Sequence, residues 1–423
     1  MRKEGSAAAP SFLRSVITLF SGTVIAQAIP FMFAPVIARL YGAEQFAVFG
    51  TLLAVFNILN VIAAARYEMA VVIPSSDEES AHLVRGAVVI SLVMGAISFL
   101  GMLLLSGSAG MARHLPGLVD VAWVAAALAS LAGLQTVLQQ WLLRRKRFGT
   151  VARVKVIQAI VITVMTIAFG RMAFRNGLEL GYLIGWAAFS IATIVAVARR
   201  EPLPGKAERS AILQALHRYR EWPFVNAWPA LVNAVATGMA TFYMVSFFSA
   251  DISGQHNFCR QYVLVPISMI TVALGQVLFV RASEAVREGR PLLPELMKVA
   301  KVLLLGAILM TVIVELAGPF LFRLVFGKEW EFAGIAARWL IPGYAAQLIG
   351  SPFGVVLLAL RRVRATLIFP AVFFLLLLVV PVFRHWPPLQ FMGLLAGVEV
   401  FAYAVLLVIV FRFVSQHDRS LTA

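Results

Sequence analysis

Cysteine is nearly absent from this chain. Cys259 stands alone among 423 residues, which excludes an internal disulfide and any metal site built from several thiolates. Histidine is scarce and dispersed. His82, His114, His217, His256, His385 and His417 form no HExxH or HxxxH pair, so no metal site is expected. A GxxxxGK[ST] phosphate loop is missing, which excludes ATP hydrolysis by that route, and so is a GxSxG nucleophile elbow. Charged residues are few, at 13%. No polar stretch reaches the roughly 50 residues of the smallest usual soluble domain. A catalytic domain outside the membrane is therefore excluded, and any activity belongs to what the apolar residues build.

Those residues are abundant, at 61% of the chain. They form twelve runs: 15–38, 46–65, 83–105, 118–142, 151–169, 181–197, 224–248, 258–280, 299–321, 332–360, 367–382 and 389–411. About 20 apolar residues cross the ~30 Å of bilayer hydrocarbon as a helix. Only helices or closed barrels satisfy the backbone there, and these runs are too long and too uniform for barrel strands. The fold class expected is all-α integral membrane, with about twelve transmembrane helices.

Lys and Arg are distributed asymmetrically. Assigned to alternate connections, 27 of the 36 fall on the side that holds both termini and 9 on the other. The positive-inside rule puts both termini in the cytoplasm. The net charge of +16 is read as topology determinants facing anionic membrane lipids, not as a nucleic-acid surface. The first 14 residues are basic, but the run after them is too long for a signal peptide and reads as a retained first span. The charge-poor side offers the acids Glu44, Asp120, Glu179, Asp251, Glu329 and Glu331. They form no paired-carboxylate cluster of the kind a metal-dependent membrane glycosyltransferase uses, so the chain reads as no enzyme.

The longest connections, 199–223 and 281–298, lie on the basic side. The first contains Pro202, Pro204 and Gly205 and divides the chain into two six-span halves, 1–205 and 206–423. Within it, Ile212, Leu213 and Leu216 give residues 211–220 an amphipathic face suited to a membrane surface. Span one, with Gln27, Pro30 and Pro35, is echoed by span seven, with Asn226, Pro229 and Asn233. Paired halves with interrupted first helices are a transporter feature.

Polar residues inside spans are costly and usually face a bundle interior. Asn57, Asn60, Ala64 and Glu68 fall on one helical face, as do Asn226, Ala230, Asn233 and Thr237. Lys155 shares a face with Gln158, and Gln135 with Gln139; Gln27 adds a single polar group. Interhelical hydrogen bonding accounts for such amides as readily as a polar cavity does. Glu399, deep in span twelve, and Glu315, toward the outer end of span nine, must each be protonated, paired or hydrated. Arg66 and Glu68, two residues apart on an expected helix, point to nearly opposite sides and are not expected to pair. Arg39, Arg66, Arg153, Lys155, Arg260 and Arg338 lie near span ends, where snorkelling is one explanation and recognition of an anion the other.

Pro35, Arg39, Tyr41, Gly42 and Phe46, then Arg66-Tyr67-Glu68 with Pro74 and the acidic run 75–80, and later Phe326-Gly327-Lys328-Glu329-Trp330, form a recognisable set. With them the chain resembles the oligosaccharide-lipid (O-antigen and polysaccharide repeat-unit) flippases of the multidrug/oligosaccharidyl-lipid/polysaccharide exporter superfamily. That resemblance implies two pseudo-symmetric six-helix bundles around a central cationic cavity in a bacterial cytoplasmic (inner) membrane. It implies alternating access that carries an undecaprenyl-pyrophosphate-linked oligosaccharide from the cytoplasmic to the periplasmic leaflet, for lipopolysaccharide or exopolysaccharide synthesis. Arg39, Arg66, Arg153, Lys155 and Arg260 become cationic-cavity candidates, with Lys155 and Arg39 foremost. Gln27, Asn57, Asn60, Glu68, Gln158, Asn226 and Asn233 become polar cavity candidates. Glu399 and Glu315 become candidates for coupling to a proton or sodium gradient. No cofactor is implied. The partners are the polyprenyl-pyrophosphate-linked oligosaccharide, membrane lipids and other polysaccharide-assembly membrane proteins. The alternatives are a drug exporter of the same superfamily, disfavoured by the basic bias, and a membrane-embedded glycan polymerase or ligase.

Overall fold

The computed structural model of the protein describes residues 22–206 and 208–422, apart from the side chains at 112, 116, 222, 224–226, 363 and 422. Arg2, Lys3, Arg14, the start of the first expected span and the side chain of Asn226 lie outside the described residues.

Twelve helices are long and apolar enough to cross a membrane. They are α1 (Gly22–Leu40), α2 (Ala43–Ile62), α3 (Asp77–Ser106), α4 (Ala122–Arg144), α5 (Phe148–Arg171) and α6 (Gly177–Arg200), then α7 (Ala227–Phe247), α8 (Ala250–Glu288), α9 (Leu293–Phe326), α10 (Lys328–Ala359), α11 (Arg364–Phe383) and α12 (Pro388–Leu421). No strand occurs among the described residues. The count matches the twelve apolar runs, but several helices extend past them. α9 takes in Lys298 and Arg323, because the apolar run is bounded by these charges while a helix can continue into the headgroup layer.

The chain forms two compact units, Met1–Ala234 and Val235–Ala423. The N-terminal unit therefore runs past residue 205 and includes the long connection. Arg85 of α3 donates to the carbonyls of Leu203 at 3.2 Å, Pro204 at 3.0 Å and Gly205 at 2.8 Å. The short helix Arg209–Arg218 follows, with Ala215 buried.

The sharpest departure from expectation is at the end of α2. The expected span runs to residue 65, but the helix stops at Ile62. Ala65 (φ 47°) and Arg66 (φ 62°) adopt left-handed backbone, and a single 3₁₀ turn, Tyr67–Ala70, follows. For non-glycine residues that conformation costs roughly 1–2 kcal/mol each. Burial offsets it: Tyr67, Ala70 and Val71 join Trp141 and Val137 in one apolar cluster. The Tyr67 hydroxyl donates to the Leu216 carbonyl at 3.1 Å, and Ser80 Oγ donates to the Val71 carbonyl at 2.7 Å. Glu68 is therefore not on the Asn57–Asn60 face, and the four-residue stripe expected there is corrected to two.

Candidate functional site

In the N-terminal unit, Lys155 of α5 reaches α1. Its ammonium lies 3.4 Å from the Thr23 hydroxyl. Gly22 makes the approach close, since a Cβ there would strike Ala152 of α5. Gln27 lies one turn beyond Thr23 on α1 and Gln158 one turn beyond Lys155 on α5, so the two helices present matching polar faces. Lys155 and Gln158 are half-buried and Gln27 is exposed. Arg153, two residues from Lys155, points away around the helix and is exposed. Arg39 is exposed in the last turn of α1.

The basic end of this unit is a web of ion pairs. Arg66 Nη1 lies 3.6 Å from Glu68 Oε1, which corrects the expectation that the two diverge. That expectation assumed a continuous α-helix; the left-handed backbone at Arg66 turns its side chain toward the 3₁₀ turn. Glu68 is buried and its Oε2 has no hydrogen-bond partner. Burial raises the Glu68 pKa above the usual carboxylate value, with its backbone hydrogen bond and Arg66 opposing. Nearby, Arg144 Nε donates to Asp77 at 3.0 Å, and Arg145 pairs with both Asp77 and Glu201. Arg147 also pairs with Glu201. Of the polar residues on the α2 face, Asn57 is exposed and Asn60 half-buried.

The C-terminal unit holds Arg260 at a widened turn. Residues Arg260–Leu264 form one π-helical turn inside α8. Pro266 accounts for it: it lacks the N–H that would bond the Tyr262 carbonyl, and its ring crowds that carbonyl. Glu399 of α12, Tyr344 of α10 and His256 of α8 lie around Arg260, with no ion pair within 4.0 Å to it among the described residues. The Glu399 Oε2 and the Tyr344 hydroxyl are buried without hydrogen-bond partners. Gly343 seats the carboxylate, because a Cβ there would collide with Glu399 Oε2 and lie 3.1 Å from Ala396 Cα. One turn along α10, Gln347 donates to Ser268 of α8 at 3.0 Å. Asn233 of α7, which belongs to the N-terminal unit, is exposed, and so is Glu315 on α9.

Reasoning from sequence missed several features. Glu179, expected in an outer connection, lies in the first turn of α6, is 1% exposed and keeps Oε2 unpartnered near Tyr41. An acid at the start of a long apolar run is a helix N-terminus signal that could have found it. Gln135 is buried with neither side-chain atom hydrogen-bonded. Tyr344 had no signal in its own spacing.

The profile of a family of polysaccharide biosynthesis proteins matches residues 36–333. No curated protein matches significantly. Among solved structures, lipid II flippase MurJ in an inward closed conformation aligns with a TM-score of 0.71 at 13% identity, over 97% of this chain and 91% of that one. An inward-facing multidrug resistance MATE transporter of the MOP superfamily gives 0.68 at 15% identity, over 94% and 99%. A MOP superfamily transporter from Pyrococcus furiosus, described as having a binding pocket of reversed polarity, gives 0.63 at 14%, over 97% and 96%. At such identities the likeness establishes the fold, whereas the profile match covers most of the sequence: the chain belongs to the polysaccharide biosynthesis protein family and is built on the fold of MOP-superfamily transporters.

Proposed function

We propose that the protein is a flippase that moves an undecaprenyl-pyrophosphate-linked oligosaccharide from the cytoplasmic to the periplasmic leaflet by alternating access, with both termini in the cytoplasm. The observation that carries this reading is Lys155. It sits within a helix long and apolar enough to cross a membrane, with its ammonium against a hydroxyl and no carboxylate within 4.0 Å among the described residues. A cation held in that way keeps its charge available to an anion. A pyrophosphate cannot enter hydrocarbon unaided, and a fixed cation offsets its charge where water is sparse. The sugars and the pyrophosphate pass through the protein while the polyprenyl tail stays in lipid. Arg260 holds a different position, with the carboxylate of Glu399 in its neighbourhood but no ion pair within 4.0 Å among the described residues. Glu399 is then the leading candidate for coupling to a proton or sodium gradient.

The test is reconstitution into vesicles carrying a fluorescent undecaprenyl-pyrophosphate oligosaccharide in one leaflet. Movement to the other leaflet, read by a membrane-impermeant quencher, is expected with the wild type and much reduced with Lys155→Ala. No movement by a folded wild type that does export lipophilic cations would replace this reading with the drug-exporter one. Lengthening of the glycan would replace it with a polymerase.

A further inference from the structure

The C-terminal unit has an opening that the proposed translocation does not use. A pocket of about 720 Å³ is lined by Glu315 of α9, Arg338 and Trp339 of α10, Trp386, and Gln390 and Gly397 of α12. Trp386 precedes α12, and Gly397 lies nine residues beyond its first residue, Pro388. At 1.5 Å per residue the pocket therefore extends about 14 Å into the span. Tryptophan at a helix end marks the level of the headgroups. The residues beside Glu315 are apolar and outward: Ile313 is 46% exposed, Leu316 78% and Phe320 63%. That is the character of a surface that meets acyl chains, so the pocket opens beside lipid at the charge-poor end.

Its chemistry is unusual for such a place. One cation and one anion line the same space, yet no ion pair within 4.0 Å joins Arg338 to Glu315 among the described residues. Arg338 Nε is buried with no hydrogen-bond partner. Charges in this setting are costly unless something answers them. Gly397 faces open space, since a Cβ built on it meets nothing within 4 Å. Two indoles, Trp339 and Trp386, each 42% exposed, offer π faces to a cation.

We propose that this pocket binds the headgroup of a zwitterionic phospholipid. The phosphate meets the Arg338 guanidinium, whose planar donors suit it, and the ammonium meets the Glu315 carboxylate and the indoles. An anionic headgroup would bring its charge against Glu315, and a simple cation would leave Arg338 unanswered. The lipid here is a bound component, not the cargo.

The intact protein, stripped of lipid in detergent, should be titrated with phosphatidylethanolamine and with phosphatidylglycerol, and lipid binding counted by native mass spectrometry. The wild type should prefer phosphatidylethanolamine. Arg338→Gln should weaken that binding about tenfold, the loss of one charge-assisted hydrogen bond. Glu315→Gln should abolish the preference between the two lipids, and Gly397→Leu should block both by filling the pocket. Melting curves in the same detergent identify variants that fold, and affinity for the carrier pyrophosphate should be unchanged in Gly397→Leu. Equal binding of the two lipids by the wild type overturns the proposal. So does phosphatidylethanolamine binding at wild-type strength and preference in folded Arg338→Gln and Glu315→Gln.

Discussion

Glu201 receives Arg145 and Arg147 on its two carboxylate oxygens, Arg145 Nε donating to Oε2 at 2.8 Å and Arg147 Nε to Oε1. Trp141 Nε1 donates to the Glu201 carbonyl at 2.8 Å, so α4, the turn after it and the end of α6 converge on one residue. Asp77 at the start of α3 extends the web through Arg144 and Arg145. Part of the positive charge at this end is thus internally matched, and the basic bias overstates what is free for lipid or substrate.

Glu201→Gln should destabilise the protein by about 1–2 kcal/mol, since the arginines are partly exposed and water replaces some of what is lost. The Arg145 hydrogen bond, with Arg147 behind it, holds the Glu201 pKa below its usual value despite burial. Its contribution is therefore present above the unfolded carboxylate pKa of about 4.3 and lost as pH falls through the lower folded value. Melting of the two proteins across pH should show their difference shrinking on acidification.

Glu68 should behave in the opposite sense. Burial raises its pKa, so the folded state holds the proton more tightly than the unfolded chain. Stability from that proton is complete below about 4.3 and is lost as pH rises through the raised folded value. Glu68→Gln keeps a neutral side chain of the same shape and should melt higher than wild type above that window and alike below it. A difference that does not change with pH would mean that Glu68 is ionised and solvated.

Gly343→Ala should cost about 1–3 kcal/mol by overpacking α10 against α12. Part of the clash is with the Glu399 carboxylate, so Glu399→Ala should recover part of the loss. A double-mutant cycle on thermal unfolding measures the coupling. Strict additivity would show that the carboxylate moves aside freely.

Reporter fusions test orientation. Those placed within 144–147, 199–220 and 361–364 are expected to read as cytoplasmic, and those within 113–118 and 383–388 as periplasmic. A periplasmic reading at 199–220 would contradict an even number of spans before that connection.

Hydropathy made the twelve helices legible, because the requirement of about 20 apolar residues is local in sequence. The break after Ile62 was not legible. Ala63, Ala64 and Ala65 are strong helix formers, and what opposes the helix is burial of Tyr67 in a cluster that includes Trp141, far along the chain. The ion pair of Arg66 with Glu68 depends on that break and was lost with it. Thr23 and Lys155 are 132 residues apart, so each was visible as polar within a span but not as a pair. The π turn at Arg260 has a local cause in Pro266, yet the partners that Arg260 reaches, Tyr344 and Glu399, come from other helices.

The cations at or near span ends should separate into classes when each is replaced by alanine and the purified variants are titrated with a carrier pyrophosphate analogue. Lys155→Ala should weaken binding by about tenfold, the value of one charge-assisted contact in a site with little water. Arg153→Ala should change little, because that side chain is exposed and turned away from Lys155. Arg39, exposed at the end of α1, should contribute a small effect that salt removes. Arg260→Ala should lose binding and stability together, since it removes the cation in the neighbourhood of the unpartnered Glu399 Oε2. Adding Glu399→Gln to Arg260→Ala should restore the stability but not the binding. Wild-type affinity that is independent of salt, together with full affinity in Lys155→Ala and Arg260→Ala, would show that these charges serve topology and packing alone.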